Sequence, residues 1–340
     1  MKNVLLTTTA LVVLAGAAAA DVGFSGDAKV KYNDMTGFGY SANLDLEYTA
    51  ALNHGITATL TWGIKIFGDD FNAADNDNWT KVADAFPTLV LTDGTYTFTF
   101  GGVDLASDHY SDVSGMAVGA GDRDGAAILR LDGAVAGYFD ASVSYVAEDY
   151  TEGGDSTVDE EDIAVGVSGT FGQFSFGLGY ETDNTSAAAG NAFIGANVGA
   201  TFGGITVDLA YATAGANSIG VSLGYEISSA ISVGAYYAQN SAADDKFGVS
   251  LDYTSGPLTV GVAYKDGTGA VTGNATIDVT YDLGGGIMTY AGYNQADGGY
   301  VGVEYDLGSD AMVWASFSEF GDAGDPEFDE GITIGVSASF

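Results

Sequence analysis

The chain has no cysteine and only three prolines in 340 residues. Without cysteine there are no disulfides, no thiolate metal sites and no cysteine nucleophile. Basic side chains are scarce, nine against 46 acidic, and arginine occurs only as Arg123 and Arg130. A net charge of −37 repels a polyanion, so nucleic acid is excluded as a partner. Histidine is limited to His54 and His109. No run of 18 apolar residues follows the N-terminal segment, which excludes a spanning helix. What is abundant is glycine, with 51 residues, and aromatic side chains, with 20 tyrosines and 18 phenylalanines. With 46 % of its residues hydrophobic, the chain is too apolar to be a solvated, disordered polyanion.

The first 20 residues read as a secretory signal peptide. Lys2 supplies the positive start, Val4 to Ala15 the apolar run, and Ala18-Ala19-Ala20 a small-residue cleavage site before Asp21. Residues 21–340 are then one domain, with 46 acids to eight bases.

That domain alternates. Tyr40, Ala42, Leu44, Leu46 and Tyr48 share one face, opposite Ser41, Asn43, Asp45 and Glu47. Ile56 to Ile64, Phe174 to Tyr180 and Ile205 to Tyr211 repeat the pattern. A period of two means strands with one apolar and one polar or tiny face, and no 3.6-residue stripe competes with it. The fold class is all-β. Four variants of one unit end in Tyr225, Tyr253, Tyr281 and Tyr305, each followed by a short glycine- or serine-bearing turn. A spacing of 24 to 28 residues equals one antiparallel hairpin, with a tyrosine near the same end each time.

The connections come in two kinds. One set is short, such as Asp93-Gly94, Gly203-Gly204 and Gly284-Gly285-Gly286. The other is long and acidic, at residues 68–86, 148–162 and 321–330. Short turns at one end and long loops at the other are the pattern of a transmembrane antiparallel β-barrel. A soluble β-sandwich also alternates. Against it stand the 16 to 20 alternating segments, the scarcity of lysine on the polar face and the tyrosines that end the apolar face like an interfacial girdle.

These residues resemble Gram-negative outer-membrane porins, most closely the general porins of alphaproteobacteria. The likeness rests on the start Asp21-Val-Gly-Phe-Ser-Gly-Asp-Ala-Lys, the Tyr-Asp-Leu-Gly strand endings and the final strand Ile332-x-Ile334-x-Val336-x-Ala338-x-Phe340. The resemblance implies a water-filled channel in the bacterial outer membrane, in contact with lipid and lipopolysaccharide. It also implies a 16-stranded homotrimer, and Phe340 as the signal read by the barrel-assembly machinery. Alternation instead gives up to 20 strands, an even number being required if both ends lie on the periplasmic side.

In porins the loop after the fifth strand folds inward as the constriction. The matching segment is 102–125, with Asp104, Asp108, Asp112, Asp122 and Asp124. Strand parity turns Lys29, Lys31, Lys65 and Arg130 inward as a basic wall, with Asp45, Glu47, Asp208, Glu226, Asp252 and Asp278 also inward. The excess of carboxylates predicts a cation-preferring pore. The inward positions are mostly Gly, Ser, Thr and Asp rather than aromatic, which favours a general channel over a sugar-specific one. A barrel serving as adhesin or anchor is the other alternative.

Enzyme chemistry finds no support. His54 sits in a turn, and His109 near Ser111 and Ser114 lacks a defined acid partner. Asp75-Asn-Asp77 opens like a calcium loop but lacks the glycine at position six and the glutamate at position twelve. No cofactor or dedicated metal site is expected. Weak divalent binding by the acidic loops is the limit of what the oxygen density supports.

Overall fold

The computed structural model describes residues 20–67, 83–84, 87–121, 126–135, 137–148, 162–182, 191–266, 273–321 and 329–340. The N-terminal segment read as a signal peptide, most of the long acidic loops, and Asp122, Arg123 and Asp124 lie outside them.

The first strands are β1 (Ala20–Asn33), β2 (Gly37–Ala51), β3 (Thr57–Phe67), β4 (Ala83–Asp84), β5 (Thr88–Thr92) and β6 (Tyr96–Gly101). After the loop segment come β7 (Ala127–Val135), β8 (Phe139–Glu148), β9 (Ile163–Phe171), β10 (Phe174–Glu181) and β11 (Phe193–Phe202). Then follow β12 (Ile205–Thr213), β13 (Asn217–Ser228), β14 (Ile231–Asn240), β15 (Lys246–Ser255) and β16 (Leu258–Lys265). The last five are β17 (Asn274–Gly284), β18 (Ile287–Asn294), β19 (Gly298–Gly308), β20 (Ala311–Ser318) and β21 (Gly331–Ser339). Consecutive strands pair antiparallel, save that β4 and β5 both pair with β3, and β21 returns to β1, Val336 opposite Val30. The described residues thus form one closed antiparallel barrel.

β4 and β5 pair end to end along the same edge of β3, so the 21 segments fill 20 wall positions. The strand expected at 86–93 is β5, and β4 falls in the segment 68–86 read as a loop. Pro87 stands just before β5 and has no N–H to give to the ladder. Helix among the described residues is limited to two 3₁₀ turns, Asn53–Gly55 and Ala106–His109.

Alternation sets inside from outside. On β13, Ile219, Val221, Leu223 and Tyr225 are exposed on the outer surface, while Ser218 is fully buried inside. The outer band continues around the barrel and ends, at the short turns, in aromatics such as Phe171, Phe174, Phe202, Tyr225, Tyr281 and Tyr305. Closure follows from this face: in hydrocarbon an open sheet edge leaves backbone groups unpaired, and pairing β1 with β21 removes the edge. The last residue takes part, since Phe340 and Gly26 exchange both backbone hydrogen bonds, at 2.9 and 3.0 Å.

The Tyr-Asp-Leu-Gly endings have a local role. The ladders shift register at Asp282/Gly284 and again at Asp306/Gly308. In each bulge the aspartate Oδ1 accepts the glycine N–H at 2.7 Å. The bulges leave Leu283 and Leu307 unpaired, and each aspartate ties down the glycine that follows the unpaired residue. In the last short turn Ser309 and Asp310 both have positive φ, 55° and 56°, the left-handed pair that a tight hairpin requires.

Candidate functional site: a loop docked on the inner wall

The segment after β6, the fifth wall position, does not leave the barrel. It runs inside, across the wall from β7 to β15, and its seat is written into the strands beneath it. Where the inner face elsewhere is polar, here it turns apolar or bare. Ile128, Val146 and Ala164 receive Leu105 and Ala106, and Phe193, Ala210 and Ala212 receive Tyr110, Val113 and Val118. Gly166 and Gly177 let the backbone close in. A Cβ at Gly166 would overlap the Ala106 carbonyl, and one at Gly177 the His109 carbonyl.

Polar side chains on the wall then bind the loop's backbone, which has no ladder of its own. Arg130 Nη1 donates to the carbonyls of Asp104 and Leu105 at 2.9 and 3.2 Å. Ser144 Oγ accepts Ala106 N–H at 2.9 Å, and Asn197 Oδ1 accepts Ser111 N–H at 3.0 Å. At the far end Asn240 accepts Ala117 N–H and donates to Gly115 O, both at 2.9 Å. Glu181, fully buried, joins the outgoing and returning limbs: its Oε1 accepts Ser107 Oγ–H and, at 2.8 Å, Gly121 N–H. Each net hydrogen bond contributes about 1 kcal/mol, more where the acceptor is charged.

His109 anchors the middle through both ring nitrogens. Nε2 lies 2.6 Å from Ser142 Oγ and Nδ1 2.7 Å from Ser168 Oγ. Ser142 donates its proton to Asp132, which also holds Arg130 Nε at 2.8 Å. The network therefore assigns the proton to Nε2, leaving Nδ1 to accept from Ser168. Burial, and then the Arg130 charge, hold the imidazole pKa below its ordinary value, against the opposing pull of Asp132 and Asp140. It is the wall serines that hold its ring nitrogens, rather than Ser111 and Ser114, its neighbours in sequence. Burial also pushes the Asp112 carboxyl and the Tyr110 phenol above their ordinary values.

Asp104 and Asp108 are exposed in this docked segment, Asp112 is exposed as a residue with its carboxyl partly desolvated, and Asp122 and Asp124 lie outside the described residues. Lys29 and Lys31 are on β1, which stands ten wall positions from β12, half of the way round. Lys29 Nζ sits 5.5 Å from the Trp314 ring centroid and Lys31 pairs with Asp329 at 3.0 Å. Arg130 is on the loop's own side, tied under its first turn. The side chain of Lys65 lies outside the described residues, though its backbone pairs with Asn43.

The inner face is more aromatic than alternation indicated. Tyr236, Tyr300 and Trp314 turn inward and lie over the neighbouring glycines Gly248, Gly292 and Gly335. Tyr290 donates to Glu304 and Tyr300 to Asp278, both at 2.6 Å. Of these only Tyr236 was signalled by the sequence, since of two adjacent strand tyrosines, Tyr236-Tyr237, one must face inward. Among the described residues no cluster of three or more metal-ligating side chains occurs.

Residues 7–325 match the sequence profile of the Gram-negative porins. No curated protein matches significantly. Among solved structures the chain is similar to a triple mutant of Rhodopseudomonas blastica porin, at 15 % identity and TM-score 0.48, with 95 % of this chain and 100 % of that one covered. A second mutant of the same porin aligns at 14 % identity and TM-score 0.47 over the same shares.

Proposed function

The chain belongs to the Gram-negative porin family of outer-membrane channels, and from that premise we propose a general diffusion pore that prefers cations. The observation that carries the reading is the docked loop. A 20-position barrel is too wide for wall side chains to fill, so an aqueous lumen remains and its narrowest level is wherever chain intrudes. Residues 102–121 are the described segment that intrudes, and Asp104, Asp108 and Asp112 supply the negative side of the constriction. Lys29 and Lys31 on β1 supply the positive side, to which strand parity adds Lys65 of β3. Arg130 serves instead to hold the loop. Carboxylates outnumber these few bases, so the summed potential concentrates cations within a Debye length of about 8 Å at physiological ionic strength.

On this reading the protein catalyses nothing and needs no cofactor; weak divalent binding stays with the acidic loops. It is exported by cleavage before Asp21, assembled through Phe340 by the barrel-assembly machinery, and packs as a homotrimer among lipid and lipopolysaccharide. The deciding experiment is single-channel recording across a KCl gradient. The expected reversal potential is cation-selective in dilute salt and declines toward molar salt. Replacing Asp104, Asp108 and Asp112 by Asn is expected to lower the preference. Chloride selectivity in dilute salt would overturn the reading.

A sugar-specific channel is the second reading, favoured by the inward Tyr290, Tyr300 and Trp314. Their rings and hydroxyls are engaged by wall glycines and carboxylates, which weighs toward the general pore. Block of the KCl current by added maltooligosaccharide would reverse that ranking.

A further inference from the structure

The nine basic residues of the chain include five whose side chains are described: Lys29, Lys31, Arg130, Lys246 and Lys265. All five face the lumen, and each lies within five residues of the long-loop end of its strand. The acids of the inner wall are distributed the other way. Glu47, Asp140, Asp208, Glu226, Asp252 and Asp306 each lie within five residues of the short-turn end. They are spread over β2, β8, β12, β13, β15 and β19, so they ring the lumen rather than cluster. Four inward acids depart from the pattern: Asp27 and Asp45 near mid-height, and Glu181 beneath the docked loop and Asp278 held by Tyr300 near the loop end. Further acids of the long loops, such as Asp329 against Lys31, lie beyond the basic band at the rim.

We propose that this axial segregation makes the short-turn half of the wall a cation filter separate from the loop, and makes the channel rectify. The inference rests on the cation-conducting pore proposed above. Two zones of opposite fixed charge in series hold opposite mobile ions, cations beside the acids and anions beside the bases. A potential positive on the short-turn side drives cations in through the acidic zone and anions in through the basic band. Ions accumulate where the zones meet, and conductance rises. The reverse potential empties that junction. The effect requires a screening length comparable with the lumen, so it belongs to dilute salt, where that length is about 30 Å at 0.01 M, and vanishes near 1 M, where it is about 3 Å. A symmetric transverse field at the loop has no such directionality.

The test is single-channel current–voltage recording of the full-length barrel in symmetric 10 mM and 1 M KCl. Single channels make the magnitude of rectification independent of which way each one inserts. Currents at opposite polarities are expected to differ by about two-fold in 10 mM KCl and to be equal in 1 M. The quadruple variant Glu47→Gln, Asp208→Asn, Glu226→Gln, Asp252→Asn is expected to conduct symmetrically with weakened cation selectivity. The double variant Lys246→Gln, Lys265→Gln is also expected to lose rectification, but with strengthened cation selectivity. Opposite shifts in selectivity with the same loss of asymmetry are what a merely damaged barrel does not give. Symmetric currents from a cation-selective wild type overturn this inference alone, as does asymmetry that survives both variants. A wild type that is anion-selective or silent overturns the pore reading itself.

Discussion

The carboxylate of Glu181 accepts the hydroxyl proton of Ser107 across 74 residues of sequence. Both side chains are fully buried, and the same oxygen takes the N–H of Gly121. One wall residue on β10 therefore closes the loop upon itself while fixing it to the barrel. A buried carboxyl with such donors is strongly coupled to them, because either partner left alone is an uncompensated polar group.

Glu181→Ala is accordingly expected to release the loop without opening the barrel. Leaving its buried donors unmet costs about 1–3 kcal/mol each. Circular dichroism should keep its strand signal while single-channel conductance becomes larger and noisier. Unchanged, quiet conductance would show that the remaining anchors suffice.

Gly166→Val acts on the same contact sterically. Even a Cβ overlaps the Ala106 carbonyl, so the loop must shift or the strand must bend. Overpacking of this kind costs about 1–3 kcal/mol. Valine at Gly224, where only Thr206 is near, is the control. Conductance should change for the first variant and hold for the second.

Acid should loosen the loop through His109. Its folded pKa is depressed below the ordinary 6.5 by burial and by Arg130. A neutral imidazole is thus favoured in the docked state, and the attachment it supports is complete above that ordinary value. It is lost as pH falls from there through the depressed value. Conductance and its noise are expected to change between pH 7 and pH 5 in the wild type. His109→Gln should flatten that response, and an equally steep response in the variant would assign it to other groups.

Removing Phe340 deletes both backbone bonds to Gly26 at the seam between β1 and β21. The expected outcome is less heat-modifiable barrel in the outer-membrane fraction, measured by gel shift. Normal yield would dissociate the terminal aromatic from assembly.

The barrel was legible because lipid and water impose a two-residue period on every strand, and each strand declares its faces locally. The strand count needed closure: alternation allowed 16 to 20, and the pairing of β1 with β21 around 20 wall positions decided it. β4 lies in a stretch that reads as loop, and only the shared edge of β3 identified β4 and β5 as one wall position. The loop segment 102–125 could be picked out by its place after the fifth strand. Its seat could not. Inward Ile128, Val146 and Phe193 are deviations from a polar face, a signal within single strands, but their partners stand many residues away.

Sequence by itself determined what is local and periodic: the strands, their two faces, the turn chemistry of Asp282 and Asp306, and the surplus of carboxylate. Tertiary structure decided what depends on which strands become neighbours. It set Glu181 against Ser107, put His109 between Ser142 and Ser168, and collected the described bases at one end of the lumen and most wall acids at the other. The physical reason is that alternation fixes the side of the sheet a residue faces, whereas height along the axis and angle around it exist only once the sheet has closed.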